Sequence, residues 1–185
     1  MSQPIFKQAR TPLTVDRTIN SFESLDYRAS IKMKSFQLPV FDVMASKNRM
    51  LEYAAQYAST VTSLIGKPYV RGANGPDKFD CSGAVCYGLR NSSNPGFGDY
   101  TAHDLYTKFS LPTKSVNAGD LIFYDYTGDG RIDHVVSVIK NRMIVHPSSG
   151  AKVIELRPIN YLNNYTKSKG GNIFPTNINW NKITQ

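Results

Sequence analysis

The chain has 185 residues, 41% of them hydrophobic, and 22 Lys and Arg against 14 Asp and Glu give a formal charge of +8. That length makes one domain with an appended arm the default, and that apolar content excludes wholesale disorder. No apolar run approaches the roughly eighteen residues of a membrane-spanning helix.

Residues 1–45 show no sustained helical period. Pro4, Pro12 and Pro39 punctuate them, and the apolar stretch Phe36–Val43 has the composition of a strand. The segment reads as an extended arm or irregular extension, preceding a domain over 46–185. Met1–Arg10 carry no apolar signal-peptide stretch, which leaves the route of export open.

A helix is predicted over 46–65. Ser46 is its candidate N-cap, and Met50, Ala54, Tyr57, Val61 and Leu64 draw one apolar stripe before Gly66 and Pro68. A Gly-, Pro- and Asp-rich loop follows over 67–80. A short helix opens at Cys81, with Ala84, Val85 and Leu89 inward, and another spans Thr101–Phe109. The period then changes, and Leu121–Tyr124, His134–Ile139, Met143–His146 and Val153–Leu156 read as short strands joined by turns. Helices first and an antiparallel sheet after predict an α+β fold. The tail from Asn163 is polar and shows little pattern.

The two cysteines, Cys81 and Cys86, would lie about 140° apart on one helix, too far for a disulfide. Cys-x4-Cys without a second pair is also a poor zinc signature. Cys86, beside Val85, suits a buried structural place. Cys81 follows Asp80 at a helix start, where the macrodipole and unpaired N–H groups favour thiolate and a lowered pKa. Gly83 leaves room for backbone or substrate to approach.

A thiolate nucleophile needs an imidazole. Of three histidines, His103 suits a surface or capping place on the 101–109 helix. His134 opens one strand and His146 closes the next. A three-residue loop over Ile139–Asn141, with Asn141 left-handed, would place His134 directly across from His146, with Cβ atoms about 5 Å apart. Cys81 as nucleophile, His134 as base and His146 as its orienting partner then complete a triad.

At this point the chain resembles the NlpC family of cell-wall cysteine peptidases. The matching pieces are Gly66-Lys67-Pro68-Tyr69, Phe79-Asp80-Cys81-Ser82-Gly83, Ala118-Gly119-Asp120-Leu121-Ile122-Phe123, Asp133-His134-Val135 and Ile144-Val145-His146. The resemblance implies a papain-like α+β fold, with the catalytic cysteine at the N-terminus of a helix packed on an antiparallel sheet. It implies hydrolysis of the γ-D-glutamyl–diamino acid bond in peptidoglycan stem peptides, without cofactor or metal. It places Cys81, His134 and His146 in the catalytic positions and Tyr69 near the reacting centre. Asp80 and Ser82 match residues that hold the free amine of the stem in some members. The family's Tyr-x-Trp-Gly-Gly is here Tyr69-Val70-Arg71-Gly72-Ala73. Arg71 is thus expected to form a different groove wall, as a lid or as a partner for a substrate carboxylate.

The run Asp125–Asp133 echoes the start of a calcium loop, but Val136 stands where the closing Glu belongs, so an Asp/Gly-rich turn is the alternative. The competing functions are a CHAP-type amidase, a papain-like acyltransferase, and a non-catalytic wall- or partner-binding module. Residues 1–45 could dock an inhibitor (immunity) protein, a phage tail or a secretion assembly. The basic residues are scattered and carry no nucleic-acid motif. Action in the cell wall, the periplasm or outside the cell is expected.

Overall fold

A computed structural model describes the backbone over 22–185 and the side chains from Asp42 onward. It divides between Ala45 and Ser46 into two units. Helix α1 (Phe22–Thr62) contributes its residues 22–45 to the first and 46–62 to the second. The strand expected over Phe36–Val43 is therefore replaced by helix, and Ser46 is no N-cap. Extending a formed helix gains one hydrogen bond per residue, and a lone strand with no partner gains none. The first 21 residues of the expected arm lie outside the described residues.

In the second unit the α1 stripe is core. Tyr57, Val61 and Leu64 are buried, and Met50 and Ala54 pack against them. Helix α2 (Cys81–Ser92) buries Ala84, Val85, Cys86 and Leu89. A Cβ on Gly88 would meet the Tyr57 ring at 2.6 Å, so glycine is what lets α1 and α2 close together. Helix α3 (Ala102–Phe109) starts at Thr101, whose hydroxyl accepts the Asp104 N–H at 3.1 Å.

Six strands follow: β1 (Ser110–Pro112), β2 (Leu121–Asp125), β3 (His134–Ile139), β4 (Met143–Ser148), β5 (Val153–Pro158) and β6 (Asn172–Ile178). They form one antiparallel sheet in the order β1-β6-β2-β3-β4-β5. Leu121, Phe123, Val135 and Val145 join the helix-side core, and Ile122, Tyr124, Val136, Val138 and Ile144 form a second cluster with Leu162. A buried side chain of this size contributes about 1.5–3 kcal/mol, so β2, buried along its length, anchors both layers. Tyr57 and Ser137 tie α1 to β3 through their hydroxyls at 2.6 Å.

The tail holds more structure than its composition suggests. Helices α4 (Asn163–Ser168) and α5 (Trp180–Ile183) flank β6, which sits between β1 and β2 inside the sheet. β1 and β6 have weak local patterns, and Pro112 and Pro175 interrupt them. Long-range pairing forms them, which periodicity does not register.

Candidate active site

The helix side of the site is built locally. Asp80 caps α2: its Oδ1 accepts the Gly83 N–H at 2.7 Å and the Ser82 hydroxyl at 3.1 Å, and its Oδ2 accepts the Gly72 N–H at 2.8 Å. One carboxylate thus fixes both the helix start and the loop that approaches it. Gly83 faces the carbonyl of Ala73, so the room it leaves is taken by backbone rather than substrate. Asp80, Ser82, Gly83, Asn74, Asp99 and Thr101 help to line a cavity of about 210 Å³ that adjoins Cys81 without including it.

Cys81 is 9% exposed and unpaired. The Val135 N–H lies within hydrogen-bonding reach of its sulfur, as do the N–H groups of Ser82 and Cys81 itself. Val135 follows His134, so the thiol stands at the head of β3. The lowered thiol pKa expected from the helix terminus is not found. Burial first, and the Asp80 carboxylate second, push it up to about 11 against those N–H groups. Desolvation outweighs the dipole because little of the Cys81 side chain reaches solvent. Cys86 is likewise raised to about 11 by burial, and its sulfur accepts the Tyr100 N–H at 3.4 Å.

The sheet side brings the two histidines together by a different register from the one expected. The pairs Ser137↔Val145 and Ile139↔Met143 leave Lys140–Arg142 as the connection, so His134 is diagonal to His146 rather than opposite it. The loop still has three residues but starts one residue later. That moves the pairing by two places and keeps both rings on one face. Asn141 is left-handed as expected (φ 62°), and Arg142 follows it there (φ 56°). The rings meet edge to face with centroids 5.1 Å apart. Both are buried, and among the described residues His134 Nε2 and His146 Nδ1 have no hydrogen-bond partner. Burial, with His146 second, pushes the His134 pKa down to about 3, and burial lowers that of His146 as well.

Tyr69 is half-buried, and its phenol pKa is raised by burial, then by Cys81 and Asp80 beside it, and eased by nearby Arg71. Arg71 itself is exposed. Three further residues carry weak sequence signals. The Tyr126 ring stacks on His134 at 6.1 Å, and its pKa is raised by burial first, with Tyr124 and then Cys81 adding to it. The His103 Nδ1 accepts the Ile132 N–H at 3.3 Å, so this half-buried histidine ties α3 to the segment before His134 instead of standing free on the surface. Glu155 on β5 pairs across from His146. Only strand alternation in Val153–Leu156 combined with the β4–β5 register would have found it.

In the 125–133 loop, Asp125 turns its carboxylate inward onto the N–H groups of Thr127, Gly128 and Gly130. Asp129 accepts from Arg131 and Asp133 from Tyr126. These carboxylates satisfy the turn itself, and among the described residues no cluster of three His, Cys, Asp or Glu could hold a metal ion.

The profile of the NlpC/P60 family matches residues 66–169. A probable endopeptidase p60 from Listeria grayi is 39% identical over 90 residues, 49% of this chain and 17% of that protein. The murein DD-endopeptidase MepH of Escherichia coli (strain K12) is 33% identical over 94 residues, 48% of this chain and 34% of that protein. This chain thus spans only a minor part of these two relatives. Among solved structures, the peptidoglycan hydrolase RipB from Mycobacterium tuberculosis superposes with a TM-score of 0.52 at 23% identity, covering 70% of this chain and 66% of that one. At that identity the likeness concerns the fold.

Proposed function

This chain belongs to the NlpC/P60 family, and from that premise we propose that it is a cysteine endopeptidase of peptidoglycan stem peptides, cutting the γ-D-glutamyl–diamino acid bond. The observation that carries the reading is the thiol of Cys81, at a capped helix start, set at the head of the strand that begins with His134.

Cys81 is the nucleophile, His134 the base and His146 the group that orients it. With the thiol raised and the imidazole lowered, the resting pair is neutral. Activation therefore belongs to the attack itself: His134 takes the thiol proton as sulfur closes on the scissile carbonyl. The N–H of Cys81, with its neighbours at the helix start, holds the oxyanion. His134 then gives the proton to the leaving amine, and water hydrolyses the thioester, returning the thiol. Tyr69, whose phenol feels Cys81, and exposed Arg71 would contact the substrate beside the thiol, and Asp80 and Ser82 face the cavity that would receive the free amine of the stem. Asp80 thus caps α2 and lines that cavity at once.

This activity places the protein in the cell wall, the periplasm or outside the cell. Residues 1–45 form an appended segment before the catalytic domain at 46–185 and suit docking to an inhibitor protein or to a phage-tail or secretion assembly. A second reading, a DD-endopeptidase of murein that would separate cross-linked stems, is suggested by the printed name of the MepH relative.

Mass spectrometry of purified peptidoglycan digested with wild type and with Cys81→Ala tests the proposal. New fragments ending in γ-D-glutamate, absent with the variant, are expected. Separated cross-linked stems would favour the second reading, and whole stems freed from glycan would replace both with an amidase. Full activity in Cys81→Ala would remove the cysteine mechanism.

A further inference from the structure

The row of polar side chains at the site does not end with His146. Glu155 is its direct cross-strand partner on the edge strand β5, so both side chains leave the same face of the sheet. The Glu155 side chain is only 14% exposed, and its Oε2 lies 3.9 Å from His146 Nδ1. That nitrogen is buried and has no hydrogen-bond partner among the described residues. The same oxygen accepts the Arg157 Nε–H at 2.7 Å. Arg157 in turn lies over the Tyr161 ring at 4.7 Å, and Tyr161 sits 5.7 Å from the His146 ring. The carboxylate is therefore held in place beside a nitrogen that lacks a partner.

We propose that Glu155 is a positioning residue that accepts the Nδ1–H of His146, fixing that ring in one tautomer so that its other nitrogen stays an unprotonated acceptor toward His134. This inference rests on the catalytic reading of the pair. A shift of about 1 Å closes the 3.9 Å gap to the length of a charge-assisted hydrogen bond. It also satisfies a buried polar atom that is otherwise costly. The chemical consequence falls on His134, which must become an imidazolium while buried. A carboxylate one residue beyond its partner supplies the counter-charge that burial denies it. The charged and titratable groups around His146 are His134 on β3, Glu155 and Arg157 on β5, and the Tyr161 phenol that follows β5. Glu155 raises the His146 pKa and Arg157 lowers it.

The test combines nitrogen-15 NMR of the histidine rings, which needs no substrate, with steady-state kinetics on peptidoglycan fragments. In wild type at neutral pH, His146 is expected to be protonated on Nδ1. Glu155→Gln should populate both tautomers, lower kcat about 10–100-fold with KM little changed, and move the acid limb of kcat/KM to lower pH. The sign follows because removing a negative charge disfavours the imidazolium. Arg157→Gln, which keeps the carboxylate and removes the cation, should move that limb to higher pH. Glu155→Asp should recover part of kcat. An unchanged tautomer, or an unchanged kcat and pH profile in a folded Glu155→Gln, would overturn the proposal. If Glu155→Gln does not fold, the wild-type tautomer and the Arg157→Gln profile decide. If the wild type releases no wall fragment, the hydrolase reading falls, while the NMR comparison still decides the Glu155–His146 pair.

Discussion

The two halves of this site are made in opposite ways. The helix half is local: Asp80 reaches three residues forward to Gly83 and eight back to Gly72, and that places Cys81. The sheet half is non-local: His134, His146 and Glu155 come from three strands, and their meeting depends on a hairpin register and an edge pairing. A local device loses its function by degrees when altered. A register shifts by whole residues, and one step turns every side chain to the other face.

The largest expected effect is on the chemistry at the junction of the halves. His134→Ala should lower turnover by about 10⁴-fold or more, as loss of a triad member does. His146→Ala should leave a measurable residue of activity, because in the proposed mechanism it orients rather than transfers. Steady-state hydrolysis of soluble stem-peptide fragments separates the two. Equal losses would mean that both rings act in proton transfer.

Breaking the helix half costs less. Asp80→Ala removes an N-cap worth about 0.5–2 kcal/mol and the bond to Gly72. A lower melting temperature and a partial loss of activity are expected, with Asp80→Asn closer to wild type in stability. Calorimetry checks it, and an Asp80→Ala variant as stable as wild type would mean the cap is redundant. In the sheet half, Asn141→Ala should cost up to about 1–2 kcal/mol, because Ala keeps the left-handed Cβ clash and lacks the local hydrogen bonding by which Asn tolerates it, whereas Asn141→Gly should be close to neutral. Since Asn141 lies in the connection beyond the end of β3 opposite His134, kcat should change little in either variant.

The smallest effect is a slope. Both histidines titrate below their ordinary value because burial resists the charged ring. The unfolded chain therefore binds more protons below about pH 6.5. Stability is complete above that pH and declines as pH falls from about 6.5 toward the folded value of about 3 for His134. Denaturant midpoints measured between pH 7 and pH 4 should fall, and His134→Gln should flatten the fall. An unchanged slope in that variant would assign the acid sensitivity to carboxylates.

The same division sets what could be read beforehand. The cap, the start of α2, the α1 stripe through Leu64 and the inert place of Cys86 follow from spacing and residue type, and all lie within one or two helical turns. The histidine pairing was legible in its face but not in its partner. Turn length has the right parity, but a three-residue loop can start at Ile139 or at Lys140, and only β-sheet contacts around it choose. β6 and Glu155 were missed for a related reason: their partners lie 47 or more residues away for β6 and across a second hairpin for Glu155. The thiol shows the limit in energy. Its position at a helix terminus argued for a lowered pKa, but burial, with the Asp80 carboxylate second, reversed the sign.

By itself the sequence determined the α+β class, the capped cysteine at a helix start, the identity of the two histidines that share a face, and the family to which these residues point. These depend on short-range hydrogen bonding and on side-chain periodicity, both of which are written in neighbouring residues. The tertiary structure alone decided the diagonal register, the place of β6 inside the sheet, the row from His134 through His146 to Glu155, and the burial that raises the Cys81 pKa and lowers that of His134. Those depend on which distant strands exclude water from a group, and desolvation is a property of the packed whole rather than of any stretch of chain.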